Sequence, residues 1–200
     1  TAIGVVLPSI NNMFFPEVVT SIETALKAKG YSLILCCSNN DREEEVRCIN
    51  DLLARNVAGV IVLDPNTSNI NSDFYKSIAK TVPIVFINGH ASVENISSVS
   101  NDESIGAEIA LKYLINNNHK NILFIRGENS ASYDIKEKKY ISMLTNSNHY
   151  HPSNVINIGK GNGSETVDNT IVSVTNFLTK NRKITAIFAC NDLMAVGAIN

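Results

Sequence analysis

Short apolar runs alternate with amphipathic segments along this whole chain, and that alternation limits the fold more than any other feature. Runs such as "IGVVL" and "GVIVL" are apolar at every position rather than at every second one. Strands of this kind are buried on both faces, as in parallel sheets that are covered by helices. We therefore predict an α/β fold of doubly wound parallel sheets. The predicted strands are residues 3–7, 31–36, 59–63, 83–87, 121–125, 155–158 and 185–189.

Local signals predict the helices between these strands. Asp41 and Glu44 have the spacing of a capping box and predict the start of the second helix. Gly30 follows the first amphipathic segment and predicts the end of the first helix. Two later helices are predicted from apolar residues at helical spacing: Ile105, Ile109, Tyr113 and Leu114, and then Val167, Ile171, Val174 and Phe177 or Leu178.

The composition argues against several classes of protein. A chain of 200 residues with 44% hydrophobic content can bury a real core, in one large domain or two small ones. Its net charge is -2 and it has no run of four Lys or Arg residues, so it is a poor match for a nucleic-acid backbone. No apolar run approaches the roughly 20 residues that span a bilayer, and the N-terminus lacks a signal-peptide pattern. We expect a soluble cytoplasmic protein with no membrane partner.

The cysteines and histidines do not have the spacing of a disulfide framework or a metal site. The cysteines are irregularly placed, at Cys36, Cys37, Cys48 and Cys190. We expect reduced thiols in the core of a cytosolic protein. His149 and His151 flank Tyr150 in a polar loop without a nearby cysteine, which favours surface histidines over zinc ligands. We therefore predict no metal and no cofactor.

Polar residues are concentrated directly after the predicted strands. Open α/β sheets bind ligands at the carboxyl ends of their strands. The segments at these ends, among them "CSNNDRE", "DPNTSN" and "CNDLM", are rich in Asn, Ser and Asp. Such side chains hydrogen-bond ligands with many hydroxyl groups, although the same residue types also form ordinary turns. The first segment, "PSINNMFFP", adds two aromatic rings that either cover the apolar face of a sugar or base or plug the core.

One loop has a feature of nucleotide-dependent enzymes. The segment "GKGNGSE" after the sixth strand is glycine-rich, as phosphate-binding loops are. Its spacing is G-x-G-x-G rather than G-x-G-x-x-G, and the chain has no G-x-x-x-x-G-K-[ST] motif. No G-x-S-x-G elbow occurs, and no Ser/His/Asp or Cys/His set is indicated by spacing. We predict no catalytic residue and do not expect an enzyme.

Four segments carry a resemblance to a known family. They read "IGVVLPSINNMFFPEVV", "VPIVFING", "SSVSNDESIGAEIALKYLINNNHKNILFIRG" and "ITAIFACNDLMAVGAIN". In this order they resemble the effector-binding region of the LacI/GalR family of bacterial transcription regulators, over essentially the whole chain. The resemblance implies a type I periplasmic-binding-protein fold, in which two doubly wound subdomains close on a small molecule, usually a sugar or nucleobase. It places one subdomain at residues 1–88 and a second, C-terminally incomplete one at residues 89–200.

The resemblance also implies effector-binding residues in the first subdomain. Family members with the pattern N-x-F-F-x-E have paired aromatics at the cleft, which correspond here to Phe14 and Phe15. The expectation is that Phe15 supplies the face that lies against the effector ring. Asn88 follows the fourth strand, where relatives place an effector-binding Asp or Asn, and is expected to anchor a hydroxyl group.

Further residues are implied in the second subdomain. Asn191 and Asp192, in "NDLMAVGA", match a recurrent family motif whose Asn or Asp faces the ligand. Replacing Asn191 by Ala is expected to weaken effector binding without unfolding the domain. Asn101, in "SND", is expected either to line the cleft or to cap the next helix.

Two positions depart from the family pattern. Many members carry an arginine in the helix after the fifth strand, and counting without gaps from Gly127 places Glu137 there, with a lysine on either side. Glu137 is therefore counted among the effector-binding positions. Either the loop shifts by a residue and a lysine substitutes, as a point charge without the bidentate fork of arginine, or the effector is held differently. Tyr133 is predicted as an additional wall of the site. Gly161 stands where relatives often have an aromatic residue.

The resemblance implies a regulator that binds an effector and forms a homodimer. The effector is expected to be a carbohydrate, with a purine as the other class. Operator DNA would be bound only through an N-terminal helix-turn-helix domain outside these residues. The alternative is a periplasmic sugar-binding protein of a transporter, which shares the fold. The absence of a signal peptide and the adjacent cysteines favour the regulator.

Overall fold

The computed structural model describes residues 1–200 and divides into two compact units. Unit 1 contains Thr1–Asn101 and Asn129–Ala131, and unit 2 contains Asp102–Glu128 and Ser132–Asn200. Both units are α/β with parallel sheets, as the sequence predicts. No helix is both long enough and apolar enough to cross a membrane.

Unit 1 is built on a five-stranded parallel sheet in the order β2-β1-β3-β4-β5. Its core lies on both faces of the central strands, because Val5, Val6 and Val62 have no exposed surface. The elements are β1 Ala2–Leu7, α1 Phe14–Lys27, β2 Ser32–Cys37, α2 Arg42–Ala54, β3 Gly59–Leu63, α3 Thr67–Ile70, α4 Phe74–Ile78, β4 Ile84–Ile87 and β5 Ile96–Val99.

Unit 2 has a three-stranded parallel sheet in the order β7-β6-β8. Strand β6 is the centre of its core, since Leu123 and Phe124 are fully buried between helices. The elements are α5 Glu103–Asn116, β6 Ile122–Arg126, α6 Ala131–Asn146, a 3-10 turn Pro152–Asn154, β7 Val155–Asn157, α7 Thr166–Lys180, β8 Ala186–Ala189 and α8 Asp192–Ile199.

All seven predicted strands are present, and one strand was missed. Strand β5, "ISSV", is short and half polar, so it has no apolar run to indicate it. It pairs in parallel with β4 and completes the sheet of unit 1. The division between the units therefore falls at Asn101 and Asp102 rather than between residues 88 and 89.

The predicted capping box at α2 is half correct. The Asp41 carboxylate accepts hydrogen bonds from the N–H groups of Glu43 and Glu44, each at 2.9 Å, and so caps the helix. Glu44 does not complete the box, because its carboxylate pairs with Arg47 at 2.9 Å and the Asp41 N–H donates to the Ser38 carbonyl. The N-cap prediction is confirmed without the reciprocal bond.

Helix α5 is present, but three of its four predicted apolar residues are exposed, and only Leu114 packs against the core. Ile105, Ile109 and Tyr113 all lie on the open side of the helix, whereas Ala107 and Leu111 face the core of unit 2. Periodicity therefore identified the helix but not the side of it that the unit covers.

The contact between α7 and α8 depends on a glycine. A Cβ atom at Gly197 would lie 2.6 Å from the Thr170 Cβ and 2.7 Å from the Val167 carbonyl oxygen. We expect Gly197→Ala to lower the free energy of unfolding by about 1–3 kcal/mol, because a backbone oxygen cannot move aside cheaply. Urea denaturation, followed by circular dichroism, measures the change.

The matched control is the same substitution at Gly106 in α5. A Cβ atom there meets no atom within 4 Å. Gly106→Ala is expected to leave stability unchanged or raise it by up to about 1 kcal/mol, through helix propensity alone. Equal denaturation midpoints for the two variants would contradict the close-packing argument.

Candidate functional site

Strands β6, β7 and β8 of unit 2 end at one edge of their sheet, because all three are parallel. The chain then turns through Gly127 after β6, the loop 158–165 after β7, and Cys190–Asn191 after β8. The predicted residues Asn191 and Tyr133 meet at this edge, together with Gly161 and Asn162 from the loop after β7.

Asn191 is the centre of this polar cluster. Its side-chain amide donates to the Gly161 carbonyl at 2.8 Å, to the Tyr133 hydroxyl at 3.2 Å and to the Asn162 side-chain oxygen at 3.3 Å. Its own side-chain oxygen accepts from the Met194 N–H at 3.0 Å and so caps α8. Both ends of Asn191 are thus engaged by the protein, and the residue joins three segments of unit 2.

Tyr133 forms the floor under the two glycine turns. Tyr133 is only 3% exposed, so it lies buried beneath these turns and does not form an open wall of the site. A Cβ atom at Gly127 would lie 2.8 Å from the Tyr133 ring and 3.0 Å from the Gly159 carbonyl oxygen. At Gly161 a side chain would collide with the Tyr133 hydroxyl and the Met194 methyl group. Tyr133 from α6 fills the space that a side chain at position 161 would need.

Glu137 is held by an arginine that the sequence analysis did not single out. Arg126, the last residue of β6, forms ion pairs with Glu137 and, at 2.6 Å, with Asp134. Its Nε–H also donates to the Gly127 carbonyl at 2.8 Å. Asp134 and Glu137 of α6 are thus joined to the end of β6 within unit 2. A cation at the end of an otherwise apolar strand was the signal that could have indicated this link.

Lys136, beside Glu137, is also engaged within unit 2. Its ammonium group donates to the Ser132 hydroxyl at 2.9 Å and to the Cys190 carbonyl at 3.1 Å, and it pairs with Glu103 at 2.9 Å. These contacts tie α5 and α6 to the end of β8. Lys136 therefore stabilises the edge that carries Asn191.

Two predicted residues stand at exposed helix starts. Asp192 is the first residue of α8 and is exposed, where the helix dipole favours a carboxylate. Asn101 is exposed too, but it does not cap α5. Asp102 is the N-cap, because its carboxylate accepts from the Ser104 N–H at 3.0 Å. The capping alternative for Asn101 was wrong by one residue.

The two adjacent phenylalanines of unit 1 have different environments. Phe15 is 3% exposed and packs with Val5, Leu7 and Leu63 in the core, so it cannot offer a ring face to a ligand. Phe14 is 41% exposed and touches Phe15 edge to face, with ring centroids 5.4 Å apart. Phe14 is therefore the ring of this pair that is open to solvent.

Two strand ends of unit 1 carry polar residues in the left-handed backbone region. Asp64 after β3 has φ 45° and Asn88 after β4 has φ 59°. The Asn88 N–H donates to the Val99 carbonyl at 2.9 Å, and the Ser130 hydroxyl donates to the Asp64 carboxylate at 2.9 Å. Asn and Asp tolerate this backbone better than other non-glycine residues. The sequence analysis did not name Asp64, although it stands directly after an apolar run.

A buried carboxylate lies near the end of β3. Glu45 of α2 is 2% exposed and accepts hydrogen bonds from the Tyr75 hydroxyl at 2.7 Å, the Asn69 side-chain amide at 2.9 Å and the Asn66 N–H at 2.9 Å. Burial raises the pKa of Glu45 above its usual range, against the opposing effect of these three donors. Each of its partners belongs to the segment between β3 and β4, so Glu45 orders that segment from α2.

The cysteines are free thiols rather than nucleophiles. Burial raises the pKa of the Cys48 thiol and of the Cys190 thiol, each to about 12. A thiol that stays protonated is a poor nucleophile and a poor metal ligand. No group of three or more His, Cys, Asp and Glu side chains is arranged to hold a metal ion in these 200 residues.

Comparison with known proteins identifies the family. The model of the periplasmic binding protein domain matches residues 3–200. Catabolite control protein A from Priestia megaterium is 31% identical over all of this chain, and the repressor PurR from Histophilus somni is 26% identical. A solved periplasmic binding protein/LacI transcriptional regulator from Alkaliphilus metalliredigens, complexed with D-xylulofuranose, is 25% identical with a TM-score of 0.79. The alignment covers 99% of this chain and 70% of that one.

This chain belongs to the periplasmic binding protein domain family, and the solved relatives that it resembles include LacI-type transcription regulators. It spans 59% of the length of the two curated relatives. The family match spans both units, and the TM-score of 0.79 shows that the solved relative shares their α/β fold.

Proposed function

We propose that this chain is the effector-binding region of a LacI-type regulator, and that its polar strand ends bind a small hydroxyl-rich molecule. The observation that carries the proposal is the cluster of Asn191, Tyr133 and Asn162 at the carboxyl edge of unit 2. This is the edge at which open parallel sheets bind ligands. The relative from Histophilus somni is named a transcriptional repressor, and the one from Alkaliphilus metalliredigens is named a LacI transcriptional regulator.

The polar edge suits a sugar better than a charged ligand. Asn191 orders the loop 159–164, whose backbone groups and Asn side chain can bind hydroxyl groups, and Asp192 adds an exposed carboxylate beside it. In unit 1, Phe14 offers an exposed ring that can cover an apolar sugar or base face. The relative from Alkaliphilus metalliredigens holds a sugar, D-xylulofuranose, which supports the carbohydrate class over a purine.

The regulatory mechanism follows from linkage between two conformations. A ligand shifts a conformational equilibrium only by its difference in affinity for the two states. The effector would thus bind the form that is competent for DNA binding more tightly, or less tightly, than the other form. We further propose a cytoplasmic homodimer whose operator contacts come from a DNA-binding domain outside these residues. Light scattering after gel filtration measures the assembly state directly.

The proposal is tested by thermal shift and calorimetry with monosaccharides, disaccharides and purines. At a ligand concentration 100 times Kd, binding stabilises the native state by about 2.7 kcal/mol, which gives a measurable rise in Tm. We expect a hit among the sugars. Asp192→Ala is expected to weaken the binding of that sugar about tenfold or more, because a carboxylate makes strong hydrogen bonds to hydroxyl groups.

The matched control is Asp51→Ala, which removes the same charge from an exposed position in the last turn of α2. It is expected to leave the sugar affinity unchanged. An equal loss of sugar affinity in both variants would mean that the change in net charge, rather than a lost contact at Asp192, weakens binding. Absence of any sugar or purine hit with the folded chain would overturn the proposed effector class.

A further inference from the structure

Unit 2 contains a cavity at the edge of its sheet where the strands begin, opposite the edge that carries Asn191. Its volume is about 740 Å³. The lining residues come from three segments, which precede β6, β7 and β8: Asn121, His151, Asn154, Thr179, Lys180, Asn181, Arg182, Lys183 and Ile184. We call this cavity the basic pocket. It shares no residue with the polar cluster around Asn191.

The charge of the basic pocket is opposite to that of the chain. Lys180, Arg182 and Lys183 give the lining three positive charges, and no Asp or Glu is among the lining residues, whereas the chain carries a net charge of -2. None of the three cations forms an ion pair, although Lys27, Lys112 and other cations of the chain do. Three unneutralised cations on one short segment repel each other, and an anion relieves that repulsion.

The side-chain amide of one pocket residue is open to a ligand. Asn154 is 8% exposed as a residue, and its side chain makes no hydrogen bond to another protein group. Its backbone N–H donates to the His151 carbonyl at 2.9 Å. The amide atoms of the side chain are not sealed from solvent, so a molecule that enters the pocket can reach them.

The carbonyl groups at the end of helix α7 do not bind the Asn154 amide or the three cations of the basic pocket. The Asn181 side chain donates to the Phe177 carbonyl at 2.9 Å, and the Asn181 N–H donates to the Leu178 carbonyl. The last carbonyl groups of the helix are therefore partly satisfied before a ligand binds. The guanidinium group of Arg182 and the ammonium groups of Lys180 and Lys183 stay available to solvent.

We propose that the basic pocket binds a small phosphate-bearing molecule. Arg182 provides a planar fork that matches two phosphoryl oxygens, Lys183 adds a point charge, and the Asn154 amide donates a hydrogen bond from the buried wall. The volume falls in the range of small-molecule sites. A nucleic acid would need a longer track, because its binding is built from many separate phosphate contacts.

The test is isothermal titration of inorganic pyrophosphate into the 200-residue chain at low ionic strength. We expect saturable binding at one site, with an affinity that falls as salt is added. The double variant Arg182→Gln/Lys183→Gln is expected to bind at least about tenfold more weakly, since it loses two charge-assisted contacts. The control Lys29→Gln/Lys80→Gln makes the same charge change at exposed positions of unit 1 and is expected to leave the affinity within about twofold.

A third variant separates binding from folding. Asn154→Leu keeps the size of the side chain but removes an amide that no protein group uses. It should therefore weaken pyrophosphate binding severalfold without lowering Tm. The proposal is overturned if pyrophosphate does not saturate, or if the control pair weakens binding as much as the pocket pair. It is also overturned if a single-stranded oligonucleotide binds through the same cations while pyrophosphate does not.

Discussion

Glu45→Leu lowers the free energy of unfolding by about 3 kcal/mol, the largest loss we expect from any single substitution here. Three donors converge on this carboxylate, from Tyr75, Asn69 and Asn66. Leucine fills a similar volume but leaves each donor unsatisfied in the interior, at about 1–3 kcal/mol apiece, and the relief of a buried carboxylate offsets part of that loss. Glu45→Gln keeps an acceptor oxygen and is expected to cost about 1 kcal/mol.

The two glutamate variants also separate hydrogen bonding from ionisation. Burial raises the pKa of Glu45 in the folded state, so the folded chain holds this proton more tightly than the unfolded chain does. The stability that comes from this proton is fully present below the unfolded-state pKa of about 4.5 and is lost as pH rises through the folded-state pKa. The free energy by which the native chain is more stable to unfolding than Glu45→Gln should therefore shrink as pH rises above about 4.5.

Urea midpoints between pH 4.5 and 7.5, measured for the native chain and each variant, check both parts. Glu43→Gln is the control, because Glu43 is an exposed carboxylate in the first turn of the same helix. The difference in unfolding free energy between Glu43→Gln and the native chain should not change with pH in this way. A difference between the native chain and Glu45→Gln that is constant with pH would contradict the raised pKa.

The second large effect is expected at Asn191. Asn191→Ala removes the cap of α8 and the donors to Gly161, Tyr133 and Asn162 at once. We expect a loss of about 2–3 kcal/mol, from a cap worth about 1 kcal/mol and from the hydrogen bonds that hold the loop after β7. This revises the expectation that the substitution would spare folding, because the side chain is bound to the protein at both ends.

Asn191→Ser divides this effect into its parts. Serine caps helices nearly as well as asparagine but cannot reach three partners with an amide. It should therefore recover about 1 kcal/mol of the alanine loss and leave the loop 159–164 less protected against hydrogen exchange. Asp192→Ala, next along the chain and exposed, should cost less than about 1 kcal/mol. If the serine and alanine variants had equal midpoints, the cap would not contribute.

The candidate site could be predicted only in part. The strand ends were located correctly, and Asn191 and Tyr133 do meet at one of them. The partners of charged side chains were not predictable, because Glu137 is joined to Arg126 eleven residues away by the geometry of β6 and α6. The basic pocket was missed for a related reason. Its cations and its buried Asn154 come from separate segments, and only the sheet brings them together.

The sequence by itself determined the elements that depend on local physics. Runs of apolar residues made seven strands recognisable, and the Asp41 side chain reaches an N–H group only three residues ahead. Tertiary structure alone decided which side of an element is buried. Phe14 and Phe15 are identical and adjacent, yet one is in the core and the other is open, since a helix turns by about 100° per residue. Strand β5 likewise has no apolar pattern of its own and is a strand because the edge of β4 offers it hydrogen bonds.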